Sequence, residues 1–101
     1  MMMNEKIRIL VVDDDESIRR YIAKLLVQSG YDVTTVSNGK DAVNELRTGQ
    51  DISLAILDIL MPEMDGLETL NEMRKITGDL PILMLSALGH TNIIVKAMKA
   101  G

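Results

Sequence analysis

The 101-residue chain is predicted to form one α/β domain, a parallel sheet with helices on its faces. Three observations predict it. Four apolar runs of strand length recur, at residues 7–12, 33–36, 54–57 and 82–85. The first, third and fourth are continuous rather than alternating, which suits strands buried on both faces of a parallel sheet. Between and after the runs lie apolar stripes at helical spacing, so the order is β-α repeated four times, with right-handed crossovers.

Each element has its own signal. After the first strand, Ile18, Tyr21, Ile22, Leu25 and Leu26 fall at i, i+3, i+4, i+7 and i+8, one side of an amphipathic helix. Ala42, Val43 and Leu46 mark a second helix, Leu67, Leu70 and Met73 a third, and Ile94, Ala97 and Met98 a fourth. Asn38 is placed to cap the second helix, and Asp65 followed by Glu68 resembles a capping box for the third. Gly30, Gly49, Gly78 and Gly101 each follow a helical stripe, where a left-handed residue is expected.

Composition narrows the function. The net charge of -4 argues against direct nucleic-acid binding by this segment. Without Cys there is no disulfide, thiolate metal site or Cys nucleophile. No apolar run approaches the roughly 20 residues of a membrane span, and no signal-peptide pattern opens the chain, so a cytoplasmic location is expected. With two Tyr and no Phe or Trp, the interior falls to Ile, Leu, Val and eight Met.

In open parallel sheets chemistry sits at the carboxyl ends of the strands. The first strand ends in Asp13, Asp14 and Asp15, the third in Asp58, the fourth in Ser86. Carboxylates gathered there repel unless a cation intervenes. An oxygen-only ligand set suits a hard cation, Mg²⁺ better than Ca²⁺. A carboxylate can also act as a nucleophile toward phosphorus. Taken singly, each feature has a plainer meaning: acidic residues after strands are commonly caps or turn residues. Because all three elements end strands on the same edge of the sheet, they converge on one small volume if strands one, three and four are neighbours, and that favours a site.

Three segments carry a family resemblance. Residues 8–20, Arg-Ile-Leu-Val-Val-Asp-Asp-Asp-Glu-Ser-Ile-Arg-Arg, resemble the first strand and acidic pair of two-component response-regulator receiver domains. Residues 54–66, Leu-Ala-Ile-Leu-Asp-Ile-Leu-Met-Pro-Glu-Met-Asp-Gly, resemble that family's phosphoacceptor strand and loop. Residues 81–87, Pro-Ile-Leu-Met-Leu-Ser-Ala, resemble its fourth strand, and residues 97–101 the end of its fourth helix.

The resemblance implies a doubly wound, flavodoxin-like fold with strand order 2-1-3-4-5. It implies that Asp58 is the phosphoacceptor and that Asp13, Asp14, Asp58 and the backbone carbonyl of Leu60 hold Mg²⁺. Ser86 would be the switch hydroxyl, Ala87 would leave room for the phosphate, and Pro62 and Gly66 would shape the loop. Asp15 would serve as an N-cap or support the site from behind. The implied partners are a sensor histidine kinase or phosphotransfer protein and a downstream effector domain or protein. Such a domain catalyses only its own phosphorylation and dephosphorylation.

The match also stops short. The family's conserved Lys, aromatic switch residue, fifth strand and fifth helix would fall beyond Gly101, so residues 1–101 are expected to be a C-terminally truncated receiver, the (βα)4 portion of the fold. An exposed edge would favour a dimer or swapped oligomer. Arg19 and Arg20 are expected on the solvent side of the first helix, and His90, the sole His, in a solvated loop.

Two other classes compete. A haloacid-dehalogenase-type hydrolase would use the Asp-x-Asp after the first strand, with Asp13 as nucleophile; it needs a later acidic pair that the chain does not show. A receiver-like docking module would use no phosphorylation at all. One prediction is specific to this sequence. Leu60 and Leu88 flank the implied phosphoryl position and are apolar, so neither orients an attacking water. The aspartyl phosphate of a complete version of this domain should therefore be long-lived. Leu60→Asn, or a polar residue at Leu88, should shorten its lifetime in a decay assay; unchanged lifetimes would contradict the idea.

Overall fold

A computed structural model describes residues 7–48, 51–58, 66–88 and 92–98, and only the backbone of 86–88 and 92–98. The elements are β1 (Arg8–Val12), α1 (Glu16–Gln28), β2 (Asp32–Val36), α2 (Gly39–Arg47), β3 (Leu54–Asp58), α3 (Gly66–Ile76), β4 (Ile82–Leu88) and β5 (Asn92–Met98). The sheet runs β2-β1-β3-β4-β5. The first four strands pair in parallel, in the order the family resemblance implies.

Because side chains alternate across a strand, each apolar run feeds two cores. Leu10, Val12, Ala55, Leu57, Ile82 and Met84 pack on one face beneath α2 and α3, where Ala42, Val43, Leu70 and Met73 close over them. Ile9, Val11 and Ile56 face the other way, toward Ile22 and Leu26 of α1. This two-sided burial is why the runs are continuous in sequence. Each fully buried Leu or Ile contributes about 1.5–3 kcal/mol.

Burial divides the helical stripes. Of the five apolar residues in the predicted α1 stripe, Ile22 and Leu26 pack on the sheet while Tyr21 and Leu25 stay 65% and 46% exposed. Leu67 of α3 is likewise exposed, whereas Leu70 and Met73 are buried. The sequence stripe is thus wider than the contact it marks.

The helix ends follow from local chemistry. Asp15 caps α1 by accepting from the Ile18 amide at 3.1 Å, which settles the choice left open for that residue. Asn38 caps α2, accepting from the Asp41 amide at 2.8 Å. α1 ends with the Gly30 amide donating to Val27 and the Tyr31 amide to Leu26, at 3.0 and 3.1 Å. Gly30 takes a φ of 98°, a left-handed value that costs other residues about 1–2 kcal/mol. Gly78 does not share this: among the described residues Gly30 alone has positive φ. α3 is instead tied down by the Arg74 guanidinium, which donates to the Leu80 carbonyl at 2.6 Å. Gly49, Gly101 and Asp65 lie outside the described residues.

The largest departure is at the end of the chain. The stripe read as a fourth helix forms strand β5, antiparallel to β4, with Ser86 opposite Ile94 and Ile82 opposite Met98. Ile93, Ile94 and Val95 are three successive β-branched residues, stiff at χ1 and better suited to a strand. The open edge of β4 supplies the ladder that a helix there would leave unused. β4 is correspondingly longer than expected, running past Ser86 to Leu88.

Replacing Gly30 by Ala should lower stability by about 1 kcal/mol through the left-handed φ alone, since an added Cβ would meet nothing within 4 Å. Replacing the fully buried Leu57 by Ala should cost about 2–5 kcal/mol. Urea unfolding of both variants checks the contrast.

Candidate phosphoacceptor and cation site

Parallel pairing of β1 with β3 aligns Val12 with Leu57, so Asp13 and Asp58 follow at neighbouring positions of the same sheet edge. β4 lies beside β3 with Asp58 opposite Leu85, which sets the backbone of Ser86 one step further along. Asp13, Asp14 and Asp58 converge: each offers an oxygen, and these atoms all lie within 4.8 Å of one another. Asp13 is 3% exposed, Asp58 half-buried and Asp14 open to solvent. Such a group could hold a metal ion, and its all-oxygen chemistry fits a hard cation.

Asp13 is the most constrained of the three. Its amide donates to the Val36 carbonyl at 3.2 Å. Its Oδ1 accepts from the Asp15 amide at 2.9 Å, and its carbonyl accepts from Nη1 of Arg19 at 2.9 Å. Burial pushes the Asp13 carboxyl above its ordinary range, and the charges of Asp14 and Asp15 push the same way. The Asp15 amide and a hydrogen bond with Asp58 act against them. Burial wins because the ionised form has lost its water.

Of the expected site residues, the structure brings together Asp13, Asp14 and Asp58. Ser86 is placed by its backbone in β4. Leu60 and Pro62 lie outside the described residues, as does His90. Gly66 is buried at the start of α3. The two arginines of α1 separate. Arg20 is exposed and pairs with Glu16 at 3.5 Å, but Arg19 is half-buried and bonded to the Asp13 carbonyl, not on the solvent side as expected. The signal was available: a helical side chain leans toward the N-terminus, so a long donor in the first turn after the Asp15 cap can reach back to a carbonyl ahead of it.

Comparison with known proteins agrees with this geometry. Residues 9–101 match the family described as "Response regulator receiver domain". The chain belongs to that family. It is 43% identical over 100 residues to a probable transcriptional regulator, ycf27, of Pyropia yezoensis, covering 99% of this chain and 40% of that protein. It is 38% identical over 95 residues to the chemotaxis protein CheY of Bacillus subtilis, covering 93% and 78%. Among solved structures, the response regulator TrrA of Thermotoga maritima in complex with Mg²⁺-BeF superposes with a TM-score of 0.76 at 42% identity, over 83% of this chain and 72% of that one. A second structure, of TrrA in complex with the histidine kinase ThkA, gives a TM-score of 0.74 at 40% identity, over 85% and 73%.

This receiver domain therefore works in two-component signalling, and the hydrolase alternative falls with the family match. The chain spans 40% of the length of the ycf27 relative. Among the described residues no helix is long and apolar enough to cross a membrane.

The Asp13 environment predicts a pH effect. Its carboxyl binds a proton more tightly folded than unfolded, so its contribution to stability is present at acid pH. That contribution is lost as pH rises from the ordinary carboxylate range through the raised value. In chelator at neutral pH, Asp13→Asn should melt higher than the parent, and the gap should close below about pH 4. A constant gap across that range in thermal melts would contradict the assignment.

Proposed function

We propose that this receiver takes a phosphoryl group from the phosphohistidine of a sensor histidine kinase, or of a phosphotransfer protein, onto Asp58. The observation that carries the proposal is the convergence of three carboxylates, one at the end of β3 and two after β1. In this reading an Asp58 oxygen attacks phosphorus, the P–N bond to the donor histidine breaks with its electron pair going to nitrogen, and the histidine, already protonated on its other ring nitrogen, leaves as neutral imidazole. The product is an aspartyl phosphate, later hydrolysed by water.

Asp13, Asp14 and Asp58 would hold Mg²⁺, with the Leu60 carbonyl as a further ligand. The cation would neutralise charge on the phosphoryl oxygens. Fixing Asp13 through its amide and Oδ1 keeps one metal-holding carboxylate in place beside the reacting Asp58. Asp58 is half-buried, open enough for a phosphoryl donor to approach. Ser86, in the strand beside Asp58, would donate a hydrogen bond to the new phosphoryl oxygens. An effector domain or protein would read the resulting shift between states. A cytoplasmic location follows from this role, since both donor and effector act there.

Intact-mass spectrometry after incubation with acetyl phosphate and Mg²⁺ tests the proposal. A labile phosphoryl adduct should form on the parent chain, and Asp58→Asn should reduce it by at least about a hundredfold, the loss expected when a nucleophile is removed. Equal labelling of Asp58→Asn would exclude Asp58 as the acceptor.

A further inference from the structure

Asp13 and Asp14 are joined by one peptide, and the plane of that peptide sets where both carboxylates point. Rotating it about its flanking bonds would swing the Cα–Cβ bond of Asp14, and with it the more exposed carboxylate. The backbone secures the near end, through the Asp13 amide on the Val36 carbonyl at 3.2 Å. The far end is secured by a side chain, the Arg19 guanidinium on the Asp13 carbonyl at 2.9 Å. Arg19 is itself held, being half-buried in the first turn of α1, where its amide donates to the Asp15 carbonyl at 2.9 Å. The same Asp15 caps that turn and donates its own amide to Asp13 Oδ1. The start of α1 and the acidic loop are thus one hydrogen-bonded unit, in which the Arg19 side chain ties the helix back to the Asp13 carbonyl.

We propose that Arg19 is a positioning residue for the cation site: by clamping the Asp13 carbonyl it holds the Asp13–Asp14 peptide so that both carboxylates face Asp58. The inference rests on the phosphoacceptor reading above and deepens it. It has a sign that charge alone cannot mimic. A guanidinium close to a cation site repels the cation, so removing it should tighten binding if charge were its whole effect. If Arg19 acts through position, removing it should weaken binding, as the loss of a group that orients a metal ligand does.

Calorimetric titration of Mg²⁺ into the 101-residue chain decides between them, with melts in chelator recorded alongside. Arg19→Gln should weaken Mg²⁺ binding about tenfold. Arg19→Lys should recover part of the loss, since an ammonium can donate to the same carbonyl. Arg20→Gln removes the same charge from an exposed neighbour and should leave affinity unchanged or slightly tighter. At saturating Mg²⁺ the rate of phosphorylation by acetyl phosphate in Arg19→Gln should return to within about twofold of the parent, because the attacking oxygen is untouched. Unchanged or tighter binding in Arg19→Gln would overturn the inference. Should Arg19→Gln fail to fold in the melt, Arg19→Lys decides, and an affinity matching Arg20→Gln overturns it. If the parent chain itself binds no Mg²⁺, the phosphoacceptor reading falls first, an outcome distinct from equal binding by parent and variant.

Discussion

Three carboxylates held within 4.8 Å of one another repel, and the surrounding structure is arranged to hold them there regardless. Left to solvent, Asp13, Asp14 and Asp58 would separate. They are kept together because β1 and β3 are adjacent parallel strands whose apolar residues are buried on both faces, and Leu10, Val11 and Leu57 have no room to shift. The hydrophobic energy of the two cores offsets the electrostatic cost at one edge of the sheet. Such local strain, sustained by packing elsewhere, is characteristic of functional sites.

The same constraint explains why the loop after β1 is so heavily bonded. A buried carboxyl whose ionised form is disfavoured would turn toward water if its backbone allowed. Asp13 is prevented from doing so on three sides, by Val36, by the Asp15 amide and by Arg19. Asp15 serves two elements at once, as the cap of α1 and as a donor to Asp13. Helix formation and site geometry therefore depend on one residue, and the first turn of α1 cannot fray without loosening the acidic edge.

Much of this was legible in the residues. The continuous apolar runs identified buried parallel strands because both faces of the sheet are covered. Asn38 and Gly30 announced the helix ends they make, since a cap and a left-handed turn are local chemistry. What could not be read depended on tertiary context. Tyr21 and Leu25 looked like core but lie beyond the width of sheet that α1 covers. The segment Asn92–Met98 carries a helical stripe and a β-branched run together, and the free edge of β4 decides for the strand. Arg19 was assigned to solvent because spacing alone treats a long side chain as a point on a wheel. Its reach toward the helix start is what makes it part of the site.

Paramagnetic broadening by Mn²⁺ in amide NMR spectra tests the central claim most directly, that these carboxylates form one cation site. Mn²⁺ prefers the same oxygen ligands as Mg²⁺, and its effect falls steeply with distance. Substoichiometric Mn²⁺ should broaden the amides of residues 12–15 and 57–58 first, and excess Mg²⁺ should restore them. Broadening that begins instead at carboxylates elsewhere, such as Asp41 and Glu45 of α2, would contradict the account, as would uniform weak broadening along the chain.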